Sequence, residues 1–459
     1  MLKQGMDEKD KIICELRLTI EKLHKELTEA YAKIAELERR LGLNSGNSSK
    51  PPSSDGLRKR KVTTREPSGK MFGGQMGHAG DTLRQAETPD EVITYSADRC
   101  AGCNASLEDV PVTRTIRRDE YEIVIRKKVI AHEVKVKVCP CCQHQNEGEF
   151  PGHVKAPAQY GPTARAVSLY LGQQFLSKER VQQTMHDLFD VDFTDTTLMK
   201  YEHECAESLK PFMEFVEDAT KNASVKGADE TGMRIEGRTK WFHVLCTDDL
   251  TYYRASDTRG NVLDHVKGTV IHDHWKPYLK LTEAQHAFCN AHHIRELKAA
   301  YMLDNEFWAK DMMELLTRAS KLTQPTPAEI SVIEQKYDEI VTAGLAHHEA
   351  LGKPYENSKK KRPGHNLLIR LHKFKTETLR FMRNRDVPFT NNLSERDLRM
   401  IKLHQKVSGC FRTFRGAETF AANRSFISTV RKRGGNMLAA LQSLIRDGYS
   451  PDSLPRPDS

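Results

Sequence analysis

The chain has 459 residues, with 71 Lys and Arg against 63 Asp and Glu for a net charge of +8. This length suffices for several domains and at least one sizeable core. No apolar run reaches the roughly eighteen residues of a membrane span, and the N-terminus lacks an apolar signal core. We therefore expect a cytoplasmic protein with no membrane partner.

Basic side chains are concentrated in three short runs, at residues 58–61, 359–362 and 431–433. Such runs favour nucleic acid or another polyanion as a partner, although many of them are simply solvated surface. The first run lies in residues 44–92, which are rich in Gly, Ser and Pro and hold little to bury. That composition predicts a basic flexible linker.

The first segment, residues 1–43, carries a heptad repeat. Apolar side chains recur seven apart at two seam positions, which are Ile13, Ile20, Leu27, Ile34 and Leu41, and Leu16, Leu23, Ala30 and Leu37. Ile or Leu at one seam position and mostly Leu at the other favours a parallel two-stranded coiled coil. The alternative is an amphipathic helix packed on its own domain. We expect self-association into a homo-oligomer.

The segment 93–150 holds two cysteine pairs with CxxC spacing, Cys100 with Cys103 and Cys139 with Cys142. Between them, residues 113–138 alternate apolar and polar side chains, as β-strands do. Four thiolates supply the tetrahedral sulfur shell that Zn²⁺ accepts. The pattern predicts a zinc ribbon, with Cys141 as the alternative to Cys142 for the last ligand. The ribbon could contact DNA or simply stabilise a segment with a small core.

Residues 151–220 predict a helical domain. Two short amphipathic helices precede a third that opens after TDTT, with Thr194 or Asp195 as its N-cap. This order is typical of a helix-turn-helix, which places one helix in the DNA major groove. An ordinary helical bundle explains the pattern equally well.

From residue 221 the pattern changes to strands. Three short antiparallel strands, a helix at 260–266 and a buried strand at 268–275 precede a helix over 284–302. This order matches an RNase H-like α/β core, so the predicted fold class is multidomain α+β. The predicted boundaries are 221–300 for the first part of the core, 301–386 for a helical insertion, 387–433 for the second part and 434–459 for a C-terminal tail.

Three carboxylates fall where an RNase H-like fold brings acids together. Asp229 lies on the first strand, Asp273 ends the buried strand and Glu395 opens a later helix. Two Mg²⁺ ions about 3.5–4 Å apart can catalyse phosphoryl transfer, and hard oxygen ligands hold such ions. Because adjacent strand residues point to opposite faces, only one of Asp229 and Glu230 can join the cluster. We expect Asp229 there and Glu230 as a surface acid or a supporting neighbour.

Each acid also has a structural interpretation. Asp229 could form a turn ahead of Gly232, and Asp273 could cap the next segment. Glu395 could close a capping box with Asn392, three residues before it. The order of the three acids against the strand pattern favours the catalytic interpretation.

Several strings resemble the transposases of the insertion sequence 66 family across nearly the full length. They are LNSGNSSKPPSSDG after the heptads, GGQMGHAGDTL, the paired cysteines, ADETGMRIEG, Asp273 with Tyr278 five residues on, CNAHHIREL and NNLSERDLR. The resemblance implies a DDE transposase of the bacterial cytoplasm, associated with the nucleoid when bound to DNA. It also implies terminal inverted repeats, target DNA and accessory transposition proteins as partners.

The resemblance assigns roles to particular residues. Asp229, Asp273 and Glu395 would hold Mg²⁺ or Mn²⁺. Cys289, His292 and Arg295 would form a segment beside the active site, in which His292 contacts the scissile phosphate or is structural. This chain has Asp273-His274-Trp275 where the family usually has aspartate followed by glycine.

Two other functions compete with the transposase. One is a catalytically inactive, coiled-coil and zinc-ribbon DNA-binding regulator on an RNase H-like core, against which the three intact acids argue. The other is a resolvase or repair nuclease, which would not need the long N-terminal helix or the ribbon.

Overall fold

The computed structural model describes residues 2–44, 46–48, 83–260, 263–353, 360–451 and 454–455. Most of the predicted linker, including the basic run at 58–61, lies outside these residues. The chain divides into one unit of residues 1–58 and 130–459 and a second unit of residues 59–129. In the part that is described, no helix is long and apolar enough to cross a membrane.

The N-terminal segment is one helix, α1 (Leu2–Gly42). Its seam side chains remain exposed, and Leu23 is 57% exposed. Near the end of α1, the Arg39 Nε donates to both carboxylate oxygens of Asp304, at 2.9 and 2.8 Å. The helix therefore contacts its own unit at its last turn and presents the heptad seam to solvent.

The predicted ribbon strands are largely wrong. Residues 111–135 form no strand, and the first ladder pairs β1 (Val136–Val138) with β2 (Gln145–Glu147) as an antiparallel hairpin. The consecutive residues Ile123 and Val124 are 83% and 89% exposed. Since neither face of this alternating segment is buried, nothing fixes it in a strand register.

Four helices follow, α2 (Pro162–Gln173), α3 (Lys178–Phe189), α4 (Asp195–Ser208) and α5 (Lys210–Asn222). The Thr194 side chain accepts the Thr197 N–H at 3.2 Å, which confirms Thr194 as the N-cap of α4. Asp190, in the left-handed conformation with φ of 51°, ends α3. An apolar cluster around Met185, Leu198 and Tyr201 packs α3 against α4.

A mixed five-stranded sheet forms the centre of the larger unit. Its strands are β3 (Val225–Ile235), β4 (Arg238–Cys246), β5 (Thr251–Ser256), β6 (Thr269–His272) and β7 (Gln285–Phe288). They stand in the order β5-β4-β3-β6-β7. The first three are antiparallel, whereas β6 and β7 run parallel to β3 and to each other. The predicted mixture of helices and strands is confirmed.

One predicted helix near this sheet is wrong, and another begins later than predicted. No helix occurs at residue 260 or over 263–266, the described part of the segment predicted to be helical. The helix predicted over 284–302 begins only at Asn290, because residues 285–288 form β7. Ala287 and Phe288 are buried beside β6. A short apolar run of this kind is compatible with either a strand or a buried helix.

The remaining helices cover the sheet and build a second core. They are α6 (Asn290–Asp304), α7 (Phe307–Ala319), α8 (Pro327–Leu351), α9 (Pro363–Lys373), α10 (Lys375–Arg383), α11 (Asn392–Ser408), α12 (Phe414–Lys432) and α13 (Met437–Asp447). Helices α7 to α10 pack around Met312, Tyr337 and Leu368. Leu441 and Leu444 of α13 lie in the main core, so the predicted tail includes a packed helix.

Strand β3 meets the start of α11 at Gly227. A Cβ atom on Gly227 would lie 2.2 Å from the Ser394 Oγ and 2.5 Å from the Asn391 Oδ1. Both contacts are too short for carbon, so this approach of helix to strand requires glycine.

We expect Gly227→Ala to lower the free energy of unfolding by about 1–3 kcal/mol, because the added methyl group displaces the start of α11. Gly232→Ala is the matched control on the same strand, where the nearest atom to a Cβ is 3.5 Å away. Denaturant unfolding of both variants measures the difference. Equal stability of the two would contradict the close approach.

Candidate functional site

Asp229 and Asp273 occupy equivalent places on neighbouring parallel strands. Gly227 of β3 pairs with Ile271 of β6, and each aspartate lies two residues further on. The Asp229 Oδ1 accepts the Glu230 N–H at 2.8 Å, and the Asp273 Oδ1 accepts the Trp275 N–H at 3.0 Å. The register therefore sets the two acids side by side at one edge of the sheet.

Glu395 reaches the same edge from the first turn of α11. Asn391, the residue before this helix, donates from Nδ2 to the Ala228 carbonyl at 2.8 Å and accepts from the Ser394 Oγ at 2.8 Å. These bonds hold α11 on β3. The capping-box interpretation of Glu395 is wrong, since the N-cap is Asn391 and its side chain makes no cap hydrogen bond.

The charges of these acids act on one another. The pKa of Asp229 lies well above its ordinary value, first because of burial and then because of repulsion from Glu230, Asp273 and Glu395. The structure thus brings the predicted acids Asp273 and Glu395 within electrostatic reach of Asp229.

Glu230 is not the surface acid that the sequence allowed, because its side chain is only 2% exposed. Arg259 donates to its Oε1 from Nε at 3.0 Å and from Nη2 at 2.8 Å, and the Tyr278 hydroxyl donates to its Oε2 at 2.5 Å. Burial raises the pKa of Glu230, and these two donors oppose that rise. Glu230 is therefore a buried acid that forms an ion pair with Arg259.

Arg259 and Tyr278 are partners of Glu230 that the sequence did not reveal, although the family resemblance includes Tyr278, five residues after Asp273. The Arg259 guanidinium lies over Trp241 at 4.9 Å and over Trp275 at 4.3 Å from the ring centroids. Tyr278 packs edge-on against Trp275 at 5.7 Å. A carboxylate on a buried strand is expected to have a cationic partner, so the sequence did indicate that Glu230 would have one. The sequence pattern did not show that this cation is Arg259.

Cys289, His292 and Arg295 lie where α6 begins. The Cys289 Sγ accepts the Asn391 N–H at 3.1 Å, and burial raises the pKa of its thiol. His292 Nδ1 lies 4.0 Å from Glu395 Oε1, and Arg295 Nη2 lies 3.7 Å from Glu395 Oε2. Burial, followed by the Arg295 charge, lowers the pKa of His292. Residues of the CNAHHIREL segment therefore surround Glu395.

One candidate metal centre emerges from the described residues. Ligand atoms of Cys289, His292 and Glu395 all lie within 4.8 Å of one another. Within those same residues, neither the His292 Nδ1 nor the Glu395 Oε1 has a hydrogen-bond partner, although both atoms are buried.

The two cysteine pairs form the same kind of turn, each within its own unit. In the first, the Cys100 N–H donates to the Ala105 carbonyl and the Asn104 N–H to the Cys100 carbonyl, both at 2.9 Å. In the second, Cys139 and Gln143 repeat this pattern with His144, also at 2.9 Å. Backbone N–H groups of the following residues lower the pKa of the Cys100 and Cys139 thiols. Such turns favour thiolates.

Comparison with known proteins identifies the chain as a transposase. The family model described as "Transposase IS66 family" matches residues 158–419, more than half of the chain and a range that includes all three acids. The protein belongs to the IS66 transposase family, which confirms the resemblance found in the sequence. A family of unknown function, DUF6444, matches residues 6–84. No curated protein matches the chain.

The raised pKa of Asp229 has a consequence for stability. A carboxyl group whose folded pKa exceeds its unfolded pKa binds its proton more tightly when folded, so stability falls as pH rises through the folded pKa. We expect Asp229→Asn to raise the melting temperature by a few degrees at neutral pH in the presence of a chelator. The difference should shrink as the pH falls into the carboxyl range.

Differential scanning fluorimetry across a pH series measures this effect, with Asp187→Asn as the control at an exposed carboxylate of α3. A melting temperature of Asp229→Asn that is equal to or below that of the unaltered protein at neutral pH would refute it.

Proposed function

We propose that the protein is a DDE transposase that binds terminal inverted repeats, cleaves the transposon ends and joins their 3′ hydroxyls to target DNA. The observation that carries this proposal is the placement of Asp229 and Asp273 by the register of β3 and β6, with Glu395 at the start of α11, where both Asp273 and Glu395 repel the charge of Asp229. Natural sequences retain such unfavourable clusters of charge mainly at functional sites. Membership of the IS66 transposase family supports the same conclusion.

The sheet supports an RNase H-like catalytic core. Three antiparallel strands continue into two parallel ones, in the order β5-β4-β3-β6-β7. Helices α7 to α10, which lie between β7 and α11 in the chain, pack with part of α6 in a second apolar core, which is consistent with a helical insertion. The three acids come from β3, from the end of β6 and from α11.

The donor set fits Mg²⁺ or Mn²⁺. All three side chains offer carboxylate oxygens, which are the ligands such ions prefer. Arg259 is committed to Glu230 through two hydrogen bonds. When bound, the ions would activate the attacking oxygen and stabilise the leaving one.

The protein's own residues then have separate tasks. Asp229, Asp273 and Glu395 would hold the ions, whereas Glu230, Arg259 and Tyr278 fix the position of the β3 edge. Arg295, 3.7 Å from Glu395, would add positive charge for a DNA phosphate. His292 is available for the same contact.

DNA binding would come from other segments. Helices α3 and α4, joined by a turn at Asp190, support the helix-turn-helix hypothesis. The CxxC spacing in the sequence supports one Zn²⁺ held by Cys100, Cys103, Cys139 and Cys142, with Cys141 as the alternative last ligand. Accessory transposition proteins and a place at the bacterial nucleoid remain part of this proposal.

Single substitutions test the proposed triad of Asp229, Asp273 and Glu395. Asp229→Asn, Asp273→Asn and Glu395→Gln should each reduce Mg²⁺-dependent cleavage and joining of a labelled transposon-end duplex by on the order of 10²–10³-fold or more. Binding of the end should persist, because phosphate and base contacts come from other segments.

Glu230→Gln is the matched control, because it changes the neighbouring acid but keeps a hydrogen-bond acceptor for Tyr278. We expect a smaller loss of activity from it. If all three triad variants joined DNA ends normally, the proposed enzymatic function would be refuted. Binding of ends by the unaltered protein without any cleavage would instead support the inactive regulator.

We also propose that α1 forms a parallel two-stranded coiled coil, since two transposon ends require at least two protomers. Seam residues such as Leu16, Leu23 and Leu27 are about half exposed along a 41-residue helix. A single exposed seam of this length is what a second copy of the helix would cover.

Leu23→Asp should convert the oligomer to a monomer, because the charge would lie in the apolar seam. Leu18→Asp is the matched control, since Leu18 is an exposed leucine of the same helix that lies off the seam. Analytical ultracentrifugation measures the mass of each. An unchanged oligomer in Leu23→Asp would exclude the coiled coil.

A further inference from the structure

The cluster of Cys289, His292 and Glu395 is chemically unlike the triad with which it shares Glu395. It combines sulfur, imidazole nitrogen and carboxylate oxygen, drawn from the start of α6 and the start of α11. Hydrogen bonds hold both helix starts in place, since the Cys289 Sγ accepts the Asn391 N–H at 3.1 Å and Asn391 is bound to β3. The three side chains thus project from fixed backbone.

A direct hydrogen bond between His292 and Glu395 does not explain why these two side chains face each other. The His292 Nδ1 and the Glu395 Oε1 are 4.0 Å apart, which is beyond hydrogen-bond distance. Both atoms are buried and lack a partner among the residues described. Unsatisfied buried polar atoms are costly, so an atom that bridges them is expected.

The separations fit a tetrahedral transition metal. Zn²⁺ bonds of about 2.3 Å to sulfur and about 2.0–2.2 Å to nitrogen and oxygen place ligand atoms roughly 3.3–3.6 Å apart. The observed separations, all within 4.8 Å, need only small side-chain rotations to reach these values. Thiolate and imidazole ligands select Zn²⁺ over Mg²⁺, which prefers oxygen.

We infer that Cys289, His292 and Glu395 bind one Zn²⁺ ion, with a fourth position left for water, in addition to the Mg²⁺ proposed for the three acids. Zn²⁺ at this place draws the Glu395 carboxylate toward α6. Since the triad needs the same carboxylate, the ion acts as an inhibitor of catalysis. This inhibition rests on the proposed function, whereas the binding of the ion does not.

The binding is tested on the full chain, stripped of metal with a chelator, kept reduced and titrated with Co²⁺ as a spectroscopic substitute for Zn²⁺. Cys289→Ser and His292→Asn should each hold one metal ion fewer than the unaltered protein. Cys289→Ser should also lose part of the thiolate-to-cobalt charge-transfer absorption. Serine keeps the acceptor for the Asn391 N–H, and His292→Asn gives a second variant should Cys289→Ser misfold.

Cys205→Ser is the matched control, because Cys205 is a buried cysteine of α4 outside the cluster. It should bind Co²⁺ like the unaltered protein. The inference is overturned if folded Cys289→Ser and His292→Asn show the metal content and the spectrum of the control.

Inhibition is measured as the ratio of DNA-end cleavage with and without Zn²⁺ at constant Mg²⁺, within each variant. The ratio should fall steeply for the unaltered protein and for Cys205→Ser, and less for Cys289→Ser. An equal fall in all three overturns the inhibitory role. If no variant cleaves DNA, the proposed function fails, while the Co²⁺ titration still decides the metal site.

Discussion

The close contact between β3 and the start of α11 is the constraint on which the site depends. Gly227 lets Ser394 and Asn391 approach the strand, and Asn391 then binds the Ala228 carbonyl. Glu395 lies 166 positions after Asp229 in the sequence, yet this contact brings it beside β3. The same Asn391 supplies the N–H that Cys289 accepts, so one residue orders both helix starts around the acids.

The two adjacent acids on β3 have different surroundings. Glu230 has Arg259 and Tyr278 as donors and is satisfied within the protein. Asp229 has only the Glu230 N–H from the described residues and three neighbouring carboxylates that repel its charge. A side chain that its own fold leaves in this state gains most from an external cation. Proteins commonly accept lower stability at such places in return for activity.

Much of this arrangement could be predicted from the sequence, since Asp229, Asp273 and Glu395 each follow a local signal, either a strand or a helix start. Their grouping depended on assuming a topology, which the register of β3 and β6 now supports. The partners of Glu230 could not be predicted, because Arg259 and Tyr278 lie 29 and 48 positions away and pairing over such distances has no local pattern. Strand β7 was not predicted, because four residues are too few to show a periodic pattern. Strands were wrongly predicted over residues 113–135, because an alternating pattern does not by itself provide a partner strand.

Helix α6 connects the candidate site to the N-terminal helix α1. His292 and Arg295 lie near its first turn, while Asp304 at its last turn holds Arg39 of α1. Its 15 residues span about 22 Å of rigid helix. In a dimer joined through α1, both sites would lie at equal distances from the two-fold axis of the coiled coil. The spacing between the two candidate sites would then be determined by helix lengths in the protein.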